Sequence, residues 1–406
     1  MEFAPAEVGV LDQEATGLTL KNFGKGRLSD IFDDFVIYRD LEPLDRRLPG
    51  LKAAAGKMGL SDQPIPRKRE MDYARAASWF AEKAQSLRNE SKNLAELLFL
   101  GDSLYNDGEA FQNLCELTEW QGACFIGNEK GAEEPAVEMH GEQRIYCANR
   151  WSALGDWAEA ILKQGLALDE RTLVIVDIDK TALGAKGRND SMIDHARLEG
   201  IYRTMDSVLG ANFDRAAFEK QYAELNRSSY HCVTADNQDF LAYICLVLNA
   251  QLIQFEEFVD EVNSGHLDNF FQFTRWVNSR MMINPIGSER LRQVHETVMN
   301  CEFSGDPTPF KSFRRQEFIT TVARMGQMRD ETPVDELLQQ EITLTNEVME
   351  ISKWLAARGC LLMCMSDKPS ESACPDRHES ADLPPLHRVE THLVGATIQA
   401  QLAALG

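Results

Sequence analysis

The sequence predicts an α/β protein: a parallel sheet covered by helices on both faces, interrupted by a long all-helical insertion. Three observations lead there. Short, almost wholly apolar runs bounded by glycine or acids recur along the first and last parts of the chain, as expected of strands buried on both faces. Segments with apolar residues at three- and four-residue spacing lie between them, so strand alternates with helix. The stretch 185–348 holds almost no strand-like run and reads as successive amphipathic helices. Together these describe a Rossmann-like parallel sheet with an inserted helical cap.

In chain order, the expected strands are 35–38 (FVIY), 97–100 (LLFL), 123–126 (ACFI), 144–148 (RIYCA), 173–176 (LVIV) and 361–365 (LLMCM). Each is strand-length and apolar enough to be buried. The expected sheet helices are 71–87, 107–120 and 152–166, with 337–359 leading from the cap back to the sheet. The organisation is then core 1–184, cap 185–348, and core again with a tail over 349–406.

A chain of 406 residues has room for such an insertion. Its net charge of −22 disfavours nucleic acid or an anionic membrane as the main partner. Nine scattered cysteines, several inside apolar runs, fit reduced thiols. The N-terminus has no apolar core of signal-peptide type and the longest apolar run, 240–248, is too short to span a bilayer. The expectation is a soluble cytoplasmic protein that binds neither membrane nor nucleic acid. Its oligomeric state is open.

The chemistry is concentrated at strand ends, where parallel sheets bind ligands. In "LLFLGDSLYNDGEAF" two acids, Asp102 and Asp107, follow a buried strand. In "TLVIVDIDKTALGAKGRND", Asp177 and Asp179 follow another, two apart and so able to project the same way, with Thr181 two further on. In "LLMCMSDKP", Ser366 ends a third, followed by Asp367 and Lys368. Clustered carboxylates repel unless something positive lies between them. A hard cation such as magnesium is the usual remedy for an all-oxygen cluster. Each piece has a plainer reading: D-x-D-x-T as a solvated turn, Asp107 as a helix cap.

Together the three strand ends carry a resemblance. D-x-D-x-T resembles the first motif of the haloacid dehalogenase (HAD) superfamily of phosphohydrolases, Ser366 after "LLMCM" is similar to its second, and "GDSLYND" resembles its fourth, G-D-x-x-x-x-D. The order departs from the family, in which the fourth motif follows the first two; here Asp102 precedes Asp177. Circular permutation, opening the core after its second motif and joining the original ends, accounts for the order without changing which strands are neighbours. The family's third motif is a lysine upstream of the fourth, for which Lys68 in "PIPRKREMDYARA" is the first choice and Lys83 the second. Lys68 also reads as part of a solvated basic face, sitting in "RKR".

The resemblance implies a magnesium-dependent phosphatase acting on a small phosphorylated molecule, with a cap that selects the substrate. It implies Asp177 as nucleophile, Asp179 as general acid and base, Ser366 and Lys68 on the phosphoryl oxygens, and Thr181 orienting the loop. Asp177, Asp179 (through its carbonyl), Asp102 and Asp107 would supply the magnesium site, Asp107 either touching the ion or standing behind its ligands. Further anion contacts are expected of Lys186 and Arg188 in "GAKGRND", where the family has a flexible flap, and of Lys368. In the cap, Arg314 and Arg315 of "PFKSFRRQEF", beside Lys311, form a candidate second anion patch. The alternatives are phosphotransfer to an acceptor other than water, or a non-catalytic HAD-like binding or scaffold protein.

Overall fold

Strands form where the sequence runs apolar. In the computed structural model, which describes residues 19–61, 64–88, 91–131, 138–140, 144–283 and 289–406, they are β1 (Lys21–Gly26), β2 (Val36–Ile37), β3 (Glu96–Gly101), β4 (Gln121–Gly127), β5 (Glu138–His140), β6 (Ile145–Ala148), β7 (Thr172–Val176), β8 (Leu344–Thr345), β9 (Leu361–Met365) and β10 (Thr391–Gly395). The helices used below are α1 (Met71–Arg88), α2 (Glu109–Thr118), α3 (Leu154–Lys163), α4 (Asp190–Leu209), α5 (Gln238–Asn249), α6 (Glu289–Phe303), α7 (Lys311–Val322) and α8 (Asn346–Ala357).

The chain divides into two compact units, one of residues 1–196, 321–374 and 381–406, the other of 197–320 with 375–380. The first holds the main sheet, ordered β2-β9-β7-β3-β4-β6-β5. Six of its strands run parallel; only the edge strand β5 is antiparallel to its neighbour β6. All six expected runs are strands of this sheet. Side chains alternate between its faces. Leu97, Phe99, Leu173, Ile175, Leu361 and Met363 face a core with Tyr73, Ala77, Phe80, Ala81 and Ala84 of α1. On the alternate register, Phe125 meets the rings of Trp151 and Trp157, the latter on α3. The run of alanines on α1 lets that helix lie close over the large strand residues.

A second, small sheet was not expected from the sequence: β1 pairs antiparallel with β10, which pairs parallel with β8. It ties 321–348 to the sheet unit, together with Asn189, whose amide binds the carbonyls of Leu338 and Glu341 and accepts from Thr343 N–H. The helical unit is therefore shorter than the expected 185–348. The expected helix 337–359 is broken, with β8 preceding α8.

The helical unit has its own core around α5, whose residues from Leu241 to Leu248 are all buried. A helix apolar all round needs neighbours on every side. Tyr243 contacts Phe270, Phe273 and Phe310 edge-on. No disulfide links the nine cysteines, and Cys245, Cys360 and Cys364 are buried. Among the described residues no helix is long and apolar enough to cross a membrane.

Candidate active site

Three adjacent strands, β9, β7 and β3, end at the same rim of the sheet and present Ser366, Asp177 and Asp102 there. The Asp177 N–H donates to the Leu100 carbonyl at 2.9 Å, extending the β7–β3 ladder one residue past the strand and fixing where the carboxylate starts. The chain then curls tightly: Ala182 N–H returns to the Asp177 carbonyl and Leu183 N–H to Ile178. Lys180 takes φ 64° to make the turn. Thr181 is buried in it, its carbonyl accepting from the Thr345 hydroxyl.

After β3 the chain makes a wide π-helical turn, Leu104–Gly108, before α2. Such turns recur at functional sites because the extra residue re-aims a side chain. Here it folds Asp107 back beneath its own strand end, where Oδ2 accepts the N–H groups of Asp102 and Ser103, each at 3.0 Å. A Cβ on Gly101 would lie 2.4 Å from that carboxyl group, so the glycine before the first aspartate is a steric requirement.

Lys68, in the loop before α1, reaches into this arrangement with its side chain 3% exposed. Its Nζ lies 2.6 Å from Asp107 Oδ1 and 2.7 Å from Asp177 Oδ1, and 5.3 Å from the centre of the Phe99 ring. Burial works against its charge, yet Asp107 and Asp177 hold its pKa well above the ordinary lysine range. Lys83, the second choice, instead lies over the Trp79 ring. Lys186 donates to the Asp102 carbonyl at 2.8 Å and to its Oδ2 at 2.7 Å. Lys368 donates to Asp179 Oδ2 at 3.0 Å, and its own N–H to the Ser366 hydroxyl oxygen at 3.3 Å. Asp367 turns to Arg39, which grips it with two bonds.

Charge at this rim is held under tension. Burial raises the Asp177 carboxyl pKa; Lys68 opposes it, Asp107 and Asp102 add to it, and the result is about 8. Burial and Asp107 raise Asp102 as well, against Lys186. Two buried oxygens among the expected site residues, Asp179 Oδ1 and Thr181 Oγ1, have no hydrogen-bond partner among the described residues. Natural interiors seldom leave such groups unpaired, so each has room for one further hydrogen bond, from a water or a ligand atom.

Among the described residues no three acidic, histidine or cysteine side chains gather into a ready-made metal cage. Magnesium seldom uses one; it is held by one or two carboxylates, with water and substrate oxygens completing an octahedron. Asp102 and Asp177, on neighbouring strand ends, have that donor chemistry, and the Asp179 carbonyl is the further oxygen the resemblance implies. Asp107, whose Oδ1 meets Lys68 and whose Oδ2 accepts the Asp102 and Ser103 N–H groups, stands behind these two and positions Lys68 and the Asp102 loop.

Two expected anion contacts are corrected. Arg188, fully buried, bonds both oxygens of Glu129 and of Glu347 and the Val394 carbonyl. The loop carrying it is packed, not free: Gly187 has φ +81°, and a Cβ there would strike the Glu129 carbonyl at 1.9 Å. "GAKGRND" is thus a fixed loop that aims Lys186 and locks Arg188 away. Arg314, in the helical unit, donates to Asp239 through Nε and Nη2 and to Glu317 through Nη1. Its guanidinium is buried between two carboxylates and offers nothing to an incoming anion.

Sequence reasoning missed Tyr38, just past β2, and Tyr73, on α1. Both hydroxyls are buried without a hydrogen-bond partner among the described residues. Burial raises both pKa values: the carboxylate of Asp179 lies close enough to add to the effect at Tyr38, and that of Asp177 at Tyr73, where the Lys68 charge works the other way. The available signal was a tyrosine on a strand run (FVIY) and on the core face of a helix, places where a buried hydroxyl normally finds a partner.

The chain matches no protein-family model, no curated protein and no solved structure.

Proposed function

We propose that the strand-end cluster is the active site of a magnesium-dependent phosphohydrolase of HAD-like, circularly permuted organisation, acting on a small phosphate ester. The observation that carries this is Lys68 bridging Asp107 and Asp177. Three separate segments supply that contact, and the resemblance implies one site for the two aspartates and a lysine, Lys68 being its first choice. The neighbouring order β9-β7-β3 supports it further, since permutation leaves strand neighbours unchanged while reordering motifs along the chain.

Asp177 attacks phosphorus in line, forming the aspartyl phosphate as the ester oxygen departs. Asp179 gives that oxygen a proton; its partnerless Oδ1 is the atom left to carry it. Asp179 then takes a proton from water, which attacks phosphorus and frees Asp177 and inorganic phosphate. Lys68, with Asp107 behind it, holds the nucleophile's orientation. Ser366, Lys186 and Lys368 line the rim where the phosphoryl oxygens would sit. Asp102 and Asp177 would hold magnesium, which supplies charge neutralisation between carboxylate and phosphate dianion.

The test is hydrolysis of a generic phosphomonoester by the full chain. Turnover that requires magnesium and disappears in Asp177→Asn is expected; turnover retained in that variant removes Asp177 as nucleophile.

A further inference from the structure

The helical unit contains a cavity of about 310 Å³ walled by α4, α6, the start of α7 and Glu379. Its volume falls at the small end of ligand pockets, which run from about 300 to 1,000 Å³. Its lining is richer in cations than the chain as a whole. Three cationic side chains, Arg290, Lys311 and Arg315, line it against one carboxylate, Glu379, in a protein with 64 acidic and 42 basic residues. A random patch of this surface would be net negative, so the concentration needs a reason.

The cations are held in place. Arg290 Nη1 donates to the Ser207 carbonyl at 2.6 Å and lies 3.3 Å from its hydroxyl, both neutral partners that leave the charge undiminished. Arg315 Nε is 3.4 Å from Asp376, and Lys311 Nζ is 2.7 Å from Asp306. Gln316 fixes Glu379 through a 3.2 Å bond. Lys311 and Ser312 open α7, a twelve-residue helix whose positive end faces the same space. Val208, Val294 and Pro309 supply an apolar wall, which an inorganic ion would not use.

We propose that this cavity binds a small organic anion, its phosphate or carboxylate groups on Arg290, Lys311 and Arg315 and its hydrocarbon part on the apolar wall. None of its lining residues belongs to the strand-end cluster, so the site stands whether or not that cluster hydrolyses phosphate esters.

The test is calorimetric titration of the full chain, without divalent metal, with inorganic phosphate, phenylphosphonate and phthalate. The last two separate phosphoryl from carboxylate recognition, and neither can be hydrolysed. At least one organic anion should bind with submillimolar affinity, at least tenfold tighter than inorganic phosphate. The double variant Arg290→Gln/Arg315→Gln should weaken it at least tenfold, and Asp177→Asn should leave it unchanged. Thr297→Glu, which adds a carboxylate at an exposed lining position without touching the core, should weaken it in the same way. No organic anion bound, equal binding by the charge variants, or loss in Asp177→Asn would each overturn the proposal.

Discussion

Two buried charge clusters, one in each unit, show different uses of the same chemistry. In the helical unit, Arg314 lies between Asp239 and Glu317; Asp239 also accepts the Phe310 N–H, and Glu317 also accepts from Arg197 Nε. Every charge there is answered at close range. At the rim of the sheet, four aspartates share three lysines, one carboxyl pKa is driven up to about 8, and buried oxygens remain without partners among the described residues. A satisfied network holds a fold together; an unsatisfied one is what the proposed phosphoryl-transfer site would use.

Substitutions can break that contrast. The largest effect is expected on activity: Asp177→Asn should lower phosphomonoester turnover by about 10⁴-fold or more, as loss of a nucleophile does, while moving stability by no more than about 1 kcal/mol. Asparagine keeps the size and one hydrogen-bonding oxygen of the carboxyl group, and Lys68 keeps its second partner, Asp107. Kinetics and urea denaturation on one preparation would check both halves. Next is Arg314→Met, which should destabilise the helical unit by about 3–5 kcal/mol because it strands two buried carboxylates. A midpoint shift below about 1 kcal/mol would mean that the cluster is not the structural tie described.

A smaller effect sharpens the comparison through pH. His295, hydrogen-bonded through Nδ1 to the Tyr243 hydroxyl at 2.6 Å, has its pKa lowered by burial to about 4. The folded state therefore prefers the neutral ring, while the unfolded chain protonates near 6.5. Its contribution is complete above pH 6.5 and is lost as pH falls toward 4. The difference in stability between wild type and His295→Gln should narrow over that window by no more than about 2 kcal/mol. A difference independent of pH would contradict the assignment. Smallest of all is the exposed pair Arg215–Glu219, whose disruption by Arg215→Ala should change stability by less than about 1 kcal/mol.

The interior of the main sheet was legible because strands covered on both faces must be apolar throughout, and 97–100 or 173–176 has no other use for so many such residues. β8 and β1 were not. The first is two residues long, and the second, KNFGKG, has little apolar pattern. The 185–348 boundary failed because helical periodicity reports a buried stripe but not which body buries it; Asn189 and β8 decide that by hydrogen bonds. At the rim, spacing found the aspartates, since one strand end fixes Asp177 and Asp179 together. It misread Arg188 and Arg314, because in an acidic chain an arginine's sequence neighbours do not reveal the carboxylates that distant segments bring to it. Lys68 was the reverse case: "RKR" allowed a solvated face as readily as the phosphate contact the resemblance implied, and folding buried it.

The most direct measurement is the melting temperature of the full chain with magnesium and beryllium fluoride, which together mimic an aspartyl phosphate, compared in wild type and Asp177→Asn. The account predicts a rise of roughly 5–10 °C in wild type at saturating concentrations and none in the variant. No rise in wild type, or an equal rise in both, would contradict a phosphoryl-transfer site at this rim.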